Sequence, residues 1–112
     1  MFAFGGRANR EALRSVERYS IKGDNWMTFP ELNIPRSNAT GVIMIDHLYV
    51  IGGKNETGFV RQIERLNLKS FNNKFETIDI MLPHSGACDI GVVLMNSTHS
   101  YSEVMLIGGF NG

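Results

Sequence analysis

The sequence predicts an all-β chain assembled from repeated four-stranded antiparallel sheets, and three observations carry that prediction. An apolar run closing in Gly-Gly occurs at Phe2-Ala3-Phe4-Gly5-Gly6, at Leu48-Tyr49-Val50-Ile51-Gly52-Gly53 and at Val104-Met105-Leu106-Ile107-Gly108-Gly109. Between these marks, at a period of about 48 residues, Val16-Glu17-Arg18-Tyr19 matches Ile63-Glu64-Arg65-Leu66, and Pro35-Arg36-Ser37-Asn38-Ala39 matches Pro83-His84-Ser85-Gly86-Ala87. Period-two alternation and short apolar runs bounded by Gly, Asn, Asp and Pro dominate, with no helical spacing over any window of a dozen residues. Such self-similarity marks a supersecondary unit that buries its faces only against its neighbours.

Each element follows from local chemistry. The first strand covers Met1 to Phe4, and a charged loop runs from Arg7 to Arg14, where the helix-like patch Arg10–Arg14 is too short to stand in water. Ser15–Ser20 turns at Lys22-Gly23-Asp24 and pairs with Asn25–Phe29. Pro30 and Pro35 make the next stretch an extended linker, since proline donates nothing to a ladder. Ala39–Ile45 and Leu48–Ile51 flank Asp46-His47, read as a two-residue hairpin connection. The cycle repeats with Val60–Leu68, Lys74–Ile80, a linker through Pro83, then Gly91–Met95 and Glu103–Ile107. Val42-Ile43-Met44-Ile45 lacks alternation, the pattern of a strand covered on both faces. A stack of small four-stranded sheets closed into a ring covers both faces of each, which is a β-propeller. The chain holds about two such blades, so the sequence predicts a partial β-propeller, either a piece of a longer polypeptide or a unit that assembles with other copies. Met1 opening directly into a strand adds to the first expectation.

Composition bounds the function classes. In 112 residues, eleven basic and eleven acidic side chains cancel, so no field is built to attract nucleic acid or an anionic membrane. No stretch approaches the roughly 20 apolar residues that span a bilayer. One cysteine, Cys88, cannot form an internal disulfide, and the start lacks the pattern of a secretory signal. A cytoplasmic location is expected. Three Asn-X-Ser/Thr sequons, at Asn38, Asn55 and Asn96, matter only in a secreted protein.

The ordered pattern resembles the kelch motif: Gly5-Gly6, then Val-Glu-Arg-Tyr ending at Tyr19, Trp26 seven residues later, Pro35-Arg36-Ser37, and a second apolar hairpin into Gly52-Gly53. The second cycle is degenerate, with Leu66 for the tyrosine, Phe75 for the tryptophan two residues late, and His84 for the arginine. The third shows Gly108-Gly109 alone. The resemblance covers residues 1–112 as a single region, with approximate repeats 1–35, 36–83 and 84–112, the outer two partial. A WD40 propeller would show Gly-His and Trp-Asp dipeptides, and neither occurs. The second glycine of each pair is expected to need positive φ or a close backbone approach. Tyr19 and Trp26 are expected to supply roughly 150–250 Å² each between adjacent sheets. Arg36 is expected to donate between sheets to backbone carbonyls.

In a four-stranded meander, the loop after the second strand and the linker to the next sheet leave from one end. That end gathers Arg7, Asn9, Arg10 and Glu11, then Lys54, Asn55 and Glu56, then Ser37, Asn38 and Ser85. The kelch family resembled here commonly binds partner proteins with loops at these places. The implied partners are other proteins or peptides, together with further blades in the same or another chain. Alternating charges suit a short charged peptide, with Arg7 and Lys54 as anchors for carboxylates. The bland alternative is a set of solvated loops.

The resemblance implies a protein-interaction module, either the substrate-recognition part of a ubiquitin-ligase adaptor or a holder of a cytoskeletal or scaffold partner. The alternative is part of a propeller enzyme or a secreted carbohydrate-binding module. His47, His84 and His99 have no carboxylate or cysteine at metal-ligand spacing, and no Gly-Gly opens a phosphate loop, so no catalytic residue and no cofactor is expected. Ala39 to Gly52 is 13 positions but Ala87 to Gly108 is 21, which places an eight-residue polar insertion at the hairpin tip Asn96–Ser102.

Overall fold

The computed structural model of the chain describes residues 1–70, 73–83, 86–98 and 102–110. Strands β1 (Phe2–Phe4), β4 (Val16–Ser20) and β5 (Asn25–Phe29) form a first antiparallel sheet in the order β1-β4-β5. The second sheet, β11-β10-β7-β6, is a full four-stranded meander of β6 (Thr40–Met44), β7 (His47–Ile51), β10 (Gln62–Asn67) and β11 (Glu76–Met81). A third sheet pairs β12 (Gly91–Ser97) with β13 (Ser102–Ile107). Two small hairpins, β2 (Arg7–Ala8) with β3 (Glu11–Ala12) and β8 (Lys54–Asn55) with β9 (Gly58–Phe59), sit in loops read from sequence as unpaired. Among the described residues there is no helix, and so none long and apolar enough to cross a membrane.

Alternation along the second sheet builds both interfaces. Leu48 and Val50 of β7 join Leu66 and Phe75 in a buried cluster with Val16 and Leu32 of the first sheet and its linker. Tyr49 and Ile51, pointing the other way, pack with Ile63, Leu82 and Ile90 toward the third sheet. Sheets stacked face to face, with β12 lying beside β6, form an arc of a β-propeller. The run Val42–Ile45 is not covered on both faces. Ile43 and Ile45 are about half exposed, and Ile43 lines an apolar groove of about 370 Å³ with Met1, Phe2 and Phe4, beside the free edge of β1.

Hydrogen bonds fix how the sheets correspond, and they correct the sequence alignment. Gly6 N–H donates to Arg36 O at 3.0 Å, and Gly53 N–H donates to Ala87 O at 2.8 Å. Ser37 bridges Lys54 just as Cys88 bridges Phe110, and Asn38 and Asp89 share φ values of 57° and 56°. Arg36 therefore corresponds to Ala87, and Ser37 to Cys88, instead of to His84 and Ser85, which lie outside the described residues. The second linker is longer by one residue between its buried leucine (Leu32, Leu82) and this position. The insertion in the third sheet shrinks accordingly to about five positions. Much of it is paired strand, with a bulge between Leu94 and Asn96 and pairing continued to Ser97↔Ser102. His99, Ser100 and Tyr101 lie outside the described residues.

Two further expectations change, and the one about the glycines is extended. The hairpin loop is Ile45-Asp46, because His47 pairs with Met44, and Ile45 takes φ 54°. The second glycine of each pair takes positive φ as expected, at 98°, 96° and 104°, and in the first two pairs the first glycine, also at positive φ, has the closer backbone approach. A Cβ on Gly5 would stand 2.2 Å from Arg36 O, and one on Gly52 would stand 2.5 Å from Ala87 O. Trp26 does pack on Tyr19, with ring centroids 5.2 Å apart, yet it is 49% exposed. The register explains this. Tyr19 faces Trp26 in the first sheet, and the Arg65↔Glu76 pairing, extended by one step, sets Leu66 opposite Phe75 in the second. Leu66 and Phe75 are buried because the first sheet covers them, whereas no described sheet covers Tyr19 and Trp26.

Phe75→Ala should therefore cost about 3–5 kcal/mol of unfolding free energy, and Trp26→Ala less than about half of that, measured by chemical denaturation. Equal losses would contradict this assignment of the two faces.

Candidate interaction surface

The end of the arc where the Gly-Gly turns and linkers emerge is built around one buried arginine. Arg36 is fully buried, and its Nη1 donates to Gly52 O and Gln62 O, each at 2.9 Å. Its Nη2 donates to Glu64 Oε2 at 2.7 Å, and Glu64 is equally buried. The free carboxylate positions of Glu64 receive the linker: Asn33 N–H donates to Oε1 at 2.6 Å and Ile34 N–H to Oε2 at 3.2 Å. Burial pulls the Arg36 pKa down from its ordinary value, and the Glu64 hydrogen bond and charge oppose that pull. Its guanidinium donates to backbone carbonyls of the second sheet while its own backbone bonds the first, and the sequence reading missed only the Glu64 carboxylate.

Outside this core stand the two small hairpins, with the same register: Arg7↔Ala12 in one and Lys54↔Phe59 in the other. Asn9 and Arg10 both take positive φ, the geometry of a type I′ turn, and Arg7 Nη2 donates to Arg10 O at 3.2 Å. The hairpins touch through β3 and β8, where Ala12 N–H donates to Glu56 Oε1 at 2.6 Å. One sheet further on, Phe59 meets Phe110 edge to face at 6.0 Å.

A protein-family model described as the kelch motif matches residues 1–33 and 35–81, which span the first two sheets. The chain belongs to the kelch-repeat family. Human Kelch-like protein 4 is 33% identical over 79 residues, which is 70% of this kelch chain and 11% of that protein. Human Kelch-like protein 3 is 42% identical, and the Influenza virus NS1A-binding protein homolog of Xenopus laevis 38% identical, each over 55 residues. Those matches cover 49% of this chain and 9% of the relative. The chain thus spans about a tenth of the length of the curated relatives it matches.

The predicted surface residues of this kelch arc divide into two groups. Arg7, Asn9, Arg10 and Glu56 are exposed on the hairpins, and Lys54 is half-buried beside them. Ser37 is only 4% exposed. It exchanges backbone hydrogen bonds with Lys54 and donates its hydroxyl to Lys54 O at 3.3 Å, so it presents nothing to a partner. The Asn55 amide donates to Pro35 O, and its oxygen accepts from Thr57, which makes it a turn-former. Asn38 joins the second sheet to the third: its Nδ2 donates to Asp89 Oδ1 at 2.9 Å, and its carbonyl accepts Asp89 N–H at 3.0 Å. Ser85 lies outside the described residues. Asp89 was missed, although with the linkers aligned it falls at the position of Asn38, and both residues take positive φ there. Cys88 is buried, and burial followed by Asp89 pushes its thiol pKa up. Among the described residues no group of three or more His, Cys, Asp or Glu is placed to hold a metal.

Arg36→Met leaves Glu64 as a buried charge without its cation and should cost about 3–5 kcal/mol. Adding Glu64→Gln removes that charge and keeps an acceptor for Asn33, so the double variant should be the more stable of the two in urea unfolding.

The Asn38 amide first, then the Cys88 thiol, with the charge of Lys54 adding, hold the Asp89 carboxyl below the ordinary range. The link thus contributes stability above the ordinary carboxyl pKa of about 3.9 and loses it as pH falls through the lower folded-state value. An NMR titration of Asp89 should show this low midpoint, and Asn38→Ala should return it upward.

Proposed function

We propose that this kelch arc is a protein-interaction module that receives a short charged segment of a partner protein on its loop-bearing end. The observation that carries the reading is the placement of the β2–β3 and β8–β9 hairpins. They bury none of the core, yet they are held side by side and carry Arg7 and Arg10 exposed, with Lys54 half-buried beside them. Rigid backbone with a few cations suits carboxylate recognition, because the donors are already positioned when the partner arrives. The kelch relatives support the same class, one of them being named for binding influenza virus NS1A. The finer reading makes this surface the substrate-recognising part of a ubiquitin-ligase adaptor, or the seat of a cytoskeletal or scaffold partner, in the cytoplasm.

Peptides selected by display against the purified chain provide the test, with affinities then measured by calorimetry. Arg7→Ala and Lys54→Ala should each weaken the selected peptides about tenfold, the loss of one charge-assisted contact of roughly 1.5 kcal/mol. Lys69→Ala, at the opposite end beside Asp46, should leave them unchanged. Peptides indifferent to Arg7 and Lys54 but lost with Lys69 would overturn the reading.

A further inference from the structure

The contact between the two hairpins has the chemistry of an occupied binding site. In the first hairpin, Leu13 N–H donates back to Gly6 O at 2.8 Å. Donors alternate along an antiparallel ladder, so the Ala12 N–H next to it points away from its own hairpin. Its cross-strand partner is Arg7, whose guanidinium is held over the turn by the Arg10 carbonyl. The outward N–H is a donor for one carboxylate, and the charge of Arg7 favours a carboxylate at the same place. That carboxylate is supplied from 44 residues away by Glu56, whose Oε1 accepts the Ala12 N–H at 2.6 Å. The Ala12 bond, the Glu56 N–H and the charge of Arg7 hold the Glu56 carboxyl below its ordinary pKa. The matching position of the second hairpin is Phe59, which faces Phe110 and no carboxylate, so the arrangement belongs to the first seam alone among the described residues.

Resting on the reading of this end as the partner surface, we propose that the Ala12 N–H and Arg7 form a carboxylate-receiving site that Glu56 fills in the free protein and a partner's carboxylate takes over on binding. Glu56 is then an internal competitor. Apparent affinity for an acidic segment is reduced by the fraction of molecules in which Glu56 occupies the site. It also keeps the two hairpins in register until a partner arrives.

The test uses the capped peptide acetyl-Asp-Glu-Glu-amide and the isotope-labelled chain, followed by NMR. Glu56→Ala should bind this peptide at least about fivefold more tightly than the unaltered protein, with the largest shifts at Ala12 and Arg7. Glu56→Gln, which keeps an acceptor for Ala12 but loses the charge, should gain less. Adding Arg7→Ala to Glu56→Ala should cancel the gain. Glu11→Gln makes the same change in net charge on the neighbouring strand and should leave affinity within about twofold. Unchanged Gly52 and Gly53 amide shifts certify the fold of each variant. An equal gain from Glu11→Gln, or no gain from Glu56→Ala while binding still needs Arg7 and Lys54, overturns internal competition and leaves the surface reading standing. Absence of binding by every form, Glu56→Ala included, overturns both.

Discussion

Arg36 belongs to two sheets at once. Its backbone joins the first, with its N–H donating to Leu13 O and its carbonyl accepting from Gly6, while its guanidinium holds the second through Gly52, Gln62 and Glu64. Gly5 lacks a Cβ because the same Arg36 carbonyl stands where that atom would be. Glu64 in turn captures the linker at Asn33 and Ile34, so the path of the chain between the sheets is set by one buried ion pair. Such a pair adds little net stability over an apolar substitute, because desolvation offsets the Coulomb gain. What it contributes here is position. Two strand ends, a linker and a turn are referred to a single planar group, and the surface hairpins inherit their spacing from it.

That spacing connects the core to the proposed function. The Arg7–Ala12 hairpin springs from the Gly5-Gly6 turn and the Lys54–Phe59 hairpin from Gly52-Gly53, each directly after a glycine pair whose first member lies against a carbonyl of the next linker. Loops this short carry little entropy of their own. Their cations and the Glu56 contact are therefore presented in a fixed geometry without any apolar core beneath the hairpins.

Much of this was legible in the sequence, for physical reasons. Strands that bury a face must alternate, so β4, β7 and β10 were placed within a residue or two, and the Lys22-Gly23-Asp24 turn placed β5. Gly-Gly announced the turns because few other residues tolerate those φ values beside a neighbouring carbonyl. The two small hairpins were invisible since they bury no face and so leave no alternation. Pro83 misled the alignment: its likeness to Pro35 outweighed the leucines, although Leu32 and Leu82 mark the equivalent points by donating to Arg14 O and Arg61 O. Glu64 could not be assigned as a buried partner, because its counterpart Glu17 is exposed and nothing local separates the two. Ser37 and Asn55 resemble surface residues by type, and only the tertiary path of the linker shows that their polar atoms are already engaged.

The second seam repeats the backbone part of the first, with Gly53 N–H on Ala87 O, but alanine has no guanidinium to give. The third sheet is held instead by Asn38 on Asp89 and by a smaller apolar cluster. In a chain of units that touch only their nearest neighbours, such an inequality sets a direction of failure. Under mechanical load, this arc would unzip from its carboxyl-terminal side, with the Ala87 seam yielding while the Arg36 joint still held.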